Sequence, residues 1–273
     1  MECRIKMVRP FAIIALVGYM ASSSLASTIC WDNGGSGIGY GGRANWSDHC
    51  DGTNYGDSAE DLLDKTIFFN RQGVTGAQTV NLNGNRRPNR IIFDTPGTVT
   101  FNPGDNANSV LRIGNLNGDL ETRGIDSRQG SHVINTAVDA INNQQWRIRP
   151  DSVLTVNGPV LGDGRIEKIN AGTLNLLGSS PSRTGSWLLK NGITRVGQSS
   201  SFGSGIISLD GGEVNLTDGV VVPNTWSSSE SGENRIFVNN GDSATVTGRF
   251  QANGGFTKTG AGTLNMTHPE NCH

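Results

Sequence analysis

From Thr66 onward the chain is a succession of short runs in which apolar and polar residues alternate, most of them three to five positions long. Such runs occur at Thr66–Phe69, Arg90–Phe93, Val99–Phe101, Val110–Ile113, Trp146–Ile148, Val153–Val156, Ile166–Ile169 and Thr173–Leu177. They continue at Trp187–Leu189, Ile193–Val196, Ile206–Leu209, Glu213–Leu216, Gly219–Val222, Arg235–Val238, Ala244–Thr247, Phe256–Lys258 and Thr263–Met266. Between them stand Gly, Asn, Asp, Ser and Pro, which cap turns with their own side chains or tolerate left-handed backbone. In Thr173-Leu174-Asn175-Leu176 the leucines point to one face and the polar pair to the other, the period of a half-buried strand. Helical spacing is nearly absent. Asp57–Lys65 fits a turn or two, with Ser58 and Asp61 as a capping box. Thr136–Gln145 is a weaker helical candidate that reads better as strand and turn. The pattern predicts an all-β chain.

Sandwiches and solenoids both consist of many short strands, and an internal repeat separates them. Leu154–Leu176 (LTVNGPVLGDGRIEKINAGTLNL) aligns without a gap on Ala244–Met266 (ATVTGRFQANGGFTKTGAGTLNM). Gly158 falls on Gly248, Gly164 on Gly254 and Lys168 on Lys258, an offset of 90 residues. A sandwich has no reason to reproduce such a pattern, whereas successive turns of a parallel β-helix meet the same steric demands. With roughly 20–25 residues per turn, the copies are expected about four turns apart. Gly172 and Gly262 read as sharp corners where a Cβ would clash. Gly162-Asp163-Gly164 matches only part of a dinucleotide-binding glycine motif and lacks its strand–turn–helix setting.

Composition supports an elongated form. The 38 glycines among 273 residues are about twice the usual share, and with 34% hydrophobic residues the chain is thinly provided for one compact core. The net charge of −2 draws in neither nucleic acid nor an anionic membrane surface. Arg4, Lys6 and Arg9 precede an apolar run, Phe11–Met20, and then the small residues Ser24-Leu25-Ala26. This is the layout of a secretory signal peptide, expected to be cleaved after Ala26. The run is shorter than the roughly 20 residues of a spanning helix, which disfavours a membrane anchor. Ile29 before Cys30 argues against a lipoprotein, and no second apolar stretch long enough to span a bilayer follows. In an oxidising compartment Cys30 and Cys50 could pair across a glycine-rich loop. A metal site there is the lesser alternative, since only Asp48 and His49 lie nearby and no CxxC spacing occurs.

Gln145-Trp146 through Leu176, and the second copy ending Phe256-Thr257-Lys258-Thr259-Gly260-Ala261-Gly262-Thr263-Leu264, resemble the autotransporter-associated β-strand repeat. That pattern runs as Trp, a spacer, L-x-V-x-G, a glycine-flanked hydrophobic, then K-x-G-x-G-T-L-x-L. Trp187–Leu216 looks like the partner segment, and Trp31-Asp32-Asn33-Gly34-Gly35 with Asn45-Trp46-Ser47 resembles the opening of such passenger regions. The resemblance is strong over Gln145–Met266 and looser over Ile29–Phe101. Asn170 replaces the usual glycine, and Asn tolerates the left-handed conformation the turn requires. The resemblance implies a right-handed, single-stranded parallel β-helix (a β-solenoid) exported through a Gram-negative-type envelope. No translocator barrel follows Thr267–His273, which suggests a truncated remnant of a longer gene or a small relative exported by another route.

Little in the sequence looks catalytic. Parallel β-helix enzymes that cleave polysaccharides use carboxylates projecting from neighbouring turns. The candidates Asp94, Asp119, Glu121, Asp126 and Asp163 form no repeated cluster and read as solvated turn residues. His49 and His132 lack a nucleophile motif, and Ser36 lacks the strand–helix elbow spacing. His268, Cys272 and His273 read as a frayed terminus rather than a metal site. Asn45, Asn215 and Asn265 are glycosylation sequons only in a eukaryotic secretory pathway. Trp146 and Trp187 are expected to pack inside, with Arg147 and Arg149 flanking the first. Trp226, in the polar stretch Asn224–Glu233, is expected in an exposed binding loop.

The expected organisation is a signal peptide (1–26), a glycine-rich cap region (27–65), a β-helix (66–266) and an irregular tail (267–273). The expected role is a secreted or surface-displayed, adhesin-like module without cofactor, metal or catalytic residues. Its partner would be a host or environmental glycan or protein surface. A glycan-cleaving enzyme and a non-functional remnant are the alternatives. An unpaired strand edge at Thr263–Met266 would favour self-association.

Overall fold

The computed structural model describes residues 28–31, 39–40, 45–47, 65–70, 76–114, 123–230, 232–252 and 254–271. The expected leader (1–26), residues 57–64 of the helical candidate, Ser36, His49, Cys50, Asp119, Glu121, Cys272 and His273 lie outside them.

The described residues form an all-β solenoid in which nearly every strand pairs in parallel with the equivalent strand one turn away. A turn visits three faces in order. Face A stacks Thr28–Trp31, Thr66–Asn70, Arg90–Asp94, Gly124–Ile134, Gln144–Ile148, Ile166–Ile169, Trp187–Leu189, Ile207–Leu209, Trp226–Ser228 and Phe250–Ala252. Face B stacks Gln78–Asn81, Val99–Asn102, the second half of Gly124–Ile134, Ser152–Val156, Thr173–Leu176, Ile193–Val196, Glu213–Leu216, Arg235–Val238 and Thr257–Thr259. Face C is interrupted. It holds Val110–Ile113, Ala137–Ala140 and Val160–Leu161, and later Val221–Val222, Ser243–Val246 and Thr263–Met266.

Alternation along each strand fills the coil. On face A, Ile166, Trp187, Ile207 and Trp226 form one inward row continued by Phe250, and Trp146, Lys168, Leu189 and Leu209 form another. On face B, Val156, Leu176, Val196, Leu216 and Val238 stack in register, all buried. Each turn therefore buries only a few side chains, and their burial against the turns above and below is what closes the core. Thr136–Gln145 is strand and turn, as expected, with Ala137–Ala140 on face C.

Two turns lack a strand on face C, and serines with one arginine carry the stack through. Val160 N–H donates to Ser180 Oγ at 2.9 Å, Ser180 N–H to the Ser200 carbonyl at 3.1 Å, and Val221 N–H to Ser199 Oγ at 3.0 Å. Arg183 is fully buried there, donating to the Gly164 carbonyl at 2.8 Å and the Leu161 carbonyl at 3.1 Å, with its guanidinium 4.7 Å from the Trp187 ring centre. Burial lowers its pKa to about 10, opposed by the charges of Asp139 and Asp163.

The repeat has a different placement from the one expected. Ile166–Ile169 lies on face A, yet its counterpart Thr257–Thr259 lies on face B; Thr173–Leu176 lies on face B and its counterpart Thr263–Met266 on face C. The copies are therefore four turns plus one face apart, since a turn here takes about 20–22 residues over most of faces A and B. The motif is a corner module, not a face module. Lys168 Nζ donates to the carbonyls of Asn170 and Gly172, both at 2.7 Å, and Lys258 Nζ makes the same bonds to Gly260 and Gly262. A Cβ on Gly172 would stand 2.0 Å from the Arg149 carbonyl oxygen, and one on Gly262 2.0 Å from that of Asn239. Asn170 has φ of 68° and Gly260 of 72°, so asparagine does take the left-handed turn. The corner from face A to face B and the one from face B to face C make the same steric demand, and the same sequence serves both.

At one end Thr28–Trp31 pairs in parallel with Thr66–Asn70 and antiparallel with Trp46–Ser47. Trp31, Tyr40, Trp46 and Phe69 pack there as a buried aromatic cluster, with Trp31 and Trp46 centred 4.9 Å apart, edge to face. At the other end Phe250–Ala252, Thr257–Thr259 and Thr263–Met266 each pair on one side only among the described residues.

Candidate functional site: a charged row on face A

Because strands alternate, face A also presents outward rows, and across four consecutive turns these are dense in arginine. Phe68, Ile92, Asp126, Arg147 and Ile169 are in register, as are Arg90, Gly124, Gln145 and Glu167. Between Phe93 and Asp94 the pairing to Gly124–Ile134 slips by one residue, so that Asp94 faces Gln129 and Arg128 projects beside it. This irregularity brings Asp94 and Asp126, two of the carboxylates singled out in the sequence, to one arginine.

Asp126 is almost fully buried and is the hub. Its Oδ2 accepts from Arg90 Nη2 at 2.9 Å and Arg128 Nε at 3.1 Å, while Arg149 Nε lies 3.6 Å from Oδ1. Arg128 Nη1 also reaches Asp94 Oδ2 at 3.1 Å, and Gln129 Nε2 donates to Asp94 Oδ1 at 2.8 Å. The Arg128 guanidinium sits 5.6 Å from the centre of the half-buried Phe68 ring. One turn further, Arg147 donates to Gln145 Oε1 at 2.8 and 3.1 Å, Gln145 donates to Glu167 Oε2 at 3.2 Å, and Arg165 Nη2 pairs with Glu167 Oε1 at 2.5 Å.

Among the described residues, four of these guanidiniums pair with three carboxylates and the fifth, that of Arg147, bonds the Gln145 amide. Burial lowers the pKa of Arg90, Asp126 opposes it, and the like charges of Arg147 and Arg128 lower it further. For Arg128 the hydrogen bonds and charges of Asp126 and Asp94 outweigh burial and raise the pKa. Each aspartate is held by guanidinium hydrogen bonds. Asp163, by contrast, is an exposed turn residue.

Other sequence-selected residues fall elsewhere. Trp146 and Trp187 are buried, as expected. Trp226 corrects the expectation of an exposed loop. It is fully buried on the inward row of face A, stacked on Phe250 at 6.0 Å with the planes 11° apart. Its serine and asparagine neighbours suggested solvent, but in Trp226–Ser228 only the central serine points out. The telling signal was its distance from Trp187, which is about two turns. Cys30 is buried and disulfide-bonded, and Cys50 lies outside the described residues.

His132 is a structural surprise rather than a catalytic one. It is fully buried, stacked 4.3 Å from Phe93 with the planes 14° apart. Its Nδ1 accepts from Val99 N–H at 3.2 Å and its Nε2 lies 2.7 Å from the Gln129 carbonyl, an arrangement that fits the neutral ring protonated on Nε2. Burial lowers its pKa to about 4, partly offset by the bond to Gln129.

Among the described residues no group of three or more His, Cys, Asp or Glu is placed to hold a metal ion, and no helix is long and apolar enough to cross a membrane.

The coil buries its apolar rows and presents ordered outward rows. The chain is 29% identical over 118 residues to an adhesin autotransporter, BmaC, of Brucella suis biovar 1. The match covers 42% of this chain and 3% of the length of that adhesin. The stacked coil and this likeness together fit a β-helix of the autotransporter passenger type. No family model and no solved structure matches the chain.

Proposed function

We propose that this protein is an exported, adhesin-like β-helix that works by display. A stiff stack of hydrogen-bonded turns holds its outward side chains in fixed rows and offers them to another surface. The observation that carries the reading is the charged row on face A. It lies on a passenger-type coil with likeness to an adhesin. Display needs no moving part, and the buried carboxylates of the row, Asp126 and Glu167, are held by arginines. The expected leader would deliver the chain across the inner membrane, to the periplasm, the cell surface or the medium.

The reading is tested by coating residues 27–273 onto beads and measuring their attachment to cells and to purified glycan and protein surfaces. Attachment that saturates and is competed by the soluble protein supports display. Beads that attach no better than albumin-coated ones refute it. Turnover of a polysaccharide by the purified chain, lost in Asp126→Asn, would replace display by catalysis.

A further inference from the structure

The row on face A has a chemistry more specific than display in general. We propose that Arg90, Arg128, Arg147, Arg149 and Arg165 form a binding track for a linear acidic polysaccharide, one whose sugars carry carboxylate or sulfate groups. This deepens the adhesin-like reading and rests on it.

Spacing comes first. The arginines are distributed over four consecutive strands, Arg90–Asp94, Gly124–Ile134, Gln144–Ile148 and Ile166–Ile169, or lie one residue outside them. Neighbouring strands lie about 4.8 Å apart, close to the length of one sugar ring, so a chain laid along the coil axis meets a new turn with each sugar. Guanidinium forks pair bidentately with carboxylate and sulfate, and they are pre-oriented here by Asp126, Asp94, Gln145 and Glu167.

Composition comes second. Carboxylates and amides are interleaved with the arginines and would accept from and donate to sugar hydroxyls. In the Gln145 row the next turns carry Glu167, Leu188, Ser208 and Ser227, a continuation of the track that is polar except at Leu188. Phe68, under Arg128, offers an apolar surface of the kind sugar rings stack on. A nucleic acid or an anionic membrane calls for denser positive charge than a row whose arginines are interleaved with Asp94, Asp126 and Glu167. The row has to share its arginines, and a polymer with one charge per sugar or fewer suits that.

Charge comes third. Arg149 and Arg165 are about half exposed, and Arg90 and Arg128 less so, so the outer guanidiniums can reach a ligand while the inner ones hold the frame.

The test uses the whole mature chain and calorimetric titration with three probes: chondroitin sulfate oligosaccharides, polygalacturonate oligosaccharides and neutral dextran. Arg147→Ser with Arg149→Ser removes two outer guanidiniums while leaving the Arg90–Asp126–Arg128 frame. Arg195→Ser with Arg235→Ser, on face B, removes the same charge elsewhere. The expected result is binding to one or both acidic probes and not to dextran, weakened at least tenfold by the face A pair and less than twofold by the face B pair. Circular dichroism and melting temperature should stay unchanged in both variants. Equal weakening by both pairs would reduce the effect to net charge and overturn the track. Binding of phosphatidylserine vesicles or single-stranded DNA as tight as that of the acidic sugars would overturn it too. Bead attachment that survives without any acidic-sugar binding overturns the track and leaves display standing, whereas loss of both refutes both.

Discussion

His132 gives the sharpest energetic prediction. The ring is fully buried between Phe93 and the Val99 amide, and its Nδ1 is an acceptor. Protonation would place a second N–H against the Val99 N–H and a charge in the core, which is why its pKa falls from 6.5 to about 4, chiefly through burial. In the unfolded chain the ring has its ordinary value near 6.5. Below that value the unfolded state binds the extra proton and the folded state does not, so stability falls as pH drops from about 6.5 toward 4. At about 1.4 kcal/mol per unit, the loss from this one group is about 3 kcal/mol, most of it reached by pH 4.5. Other groups also titrate in this range, so the variant His132→Gln supplies the reference. Its amide can accept from Val99 and donate to Gln129 without titrating. Guanidinium unfolding followed by tryptophan fluorescence at pH 7.5, 6.0, 5.0 and 4.5 should show wild-type stability falling by about 2–3 kcal/mol more than that of the variant. Parallel pH profiles would refute the account of His132 as a buried neutral ring.

Four further outcomes follow from the packing. Lys168 is fully buried and bonds three carbonyls, the third from Asn191 one turn on, whereas Lys258 is half-buried and bonds two; Lys168→Met should therefore destabilise by about 1–3 kcal/mol and Lys258→Met by clearly less, in the same unfolding assay. Gly172→Ala drives a methyl to 2.0 Å from the Arg149 carbonyl and should cost about 1–3 kcal/mol, seen as a lowered melting temperature. Trp226→Ala should cost about 3–5 kcal/mol, whereas an exposed tryptophan would cost almost nothing. The strands Phe250–Ala252, Thr257–Thr259 and Thr263–Met266, paired on one side among the described residues, should drive concentration-dependent association in light scattering, and Thr259→Pro should reduce it.

Much of the fold was legible because strand alternation and corner chemistry are local. Thr173-Leu174-Asn175-Leu176 states its inward and outward faces in four letters, and Asn170 announced the left-handed turn it makes. Less legible was which face a copy occupies. The corner needs only a lysine, a left-handed residue and a glycine, and two different corners of the coil accept them, so the repeat fixed the corners but not the register. Trp226 was misread because its neighbours are polar, although polarity alternates there as it does everywhere else in the coil. The charged row was out of reach for a different reason. Arg90, Asp126 and Arg149 meet only through pairing across turns of unequal length, including 36 residues between Arg90 and Asp126, which no spacing rule anticipates.

Everything in the account depends on consecutive turns stacking in register, so that outward side chains form rows. Ser208 and Ser227 test this directly, because they are in-register neighbours on face A whose hydroxyls lie 2.8 Å apart. Adjacent strands bring paired Cα atoms within the roughly 4.4–6.8 Å that a disulfide spans, and a two-turn separation does not. The pair Ser208→Cys with Ser227→Cys should close under mild oxidation, located by peptide mapping, with the circular dichroism spectrum unchanged. Leu188→Cys with Ser227→Cys, two turns apart on the same row, should stay open. A bridge in the second pair, or none in the first, would contradict the register on which the rows rest.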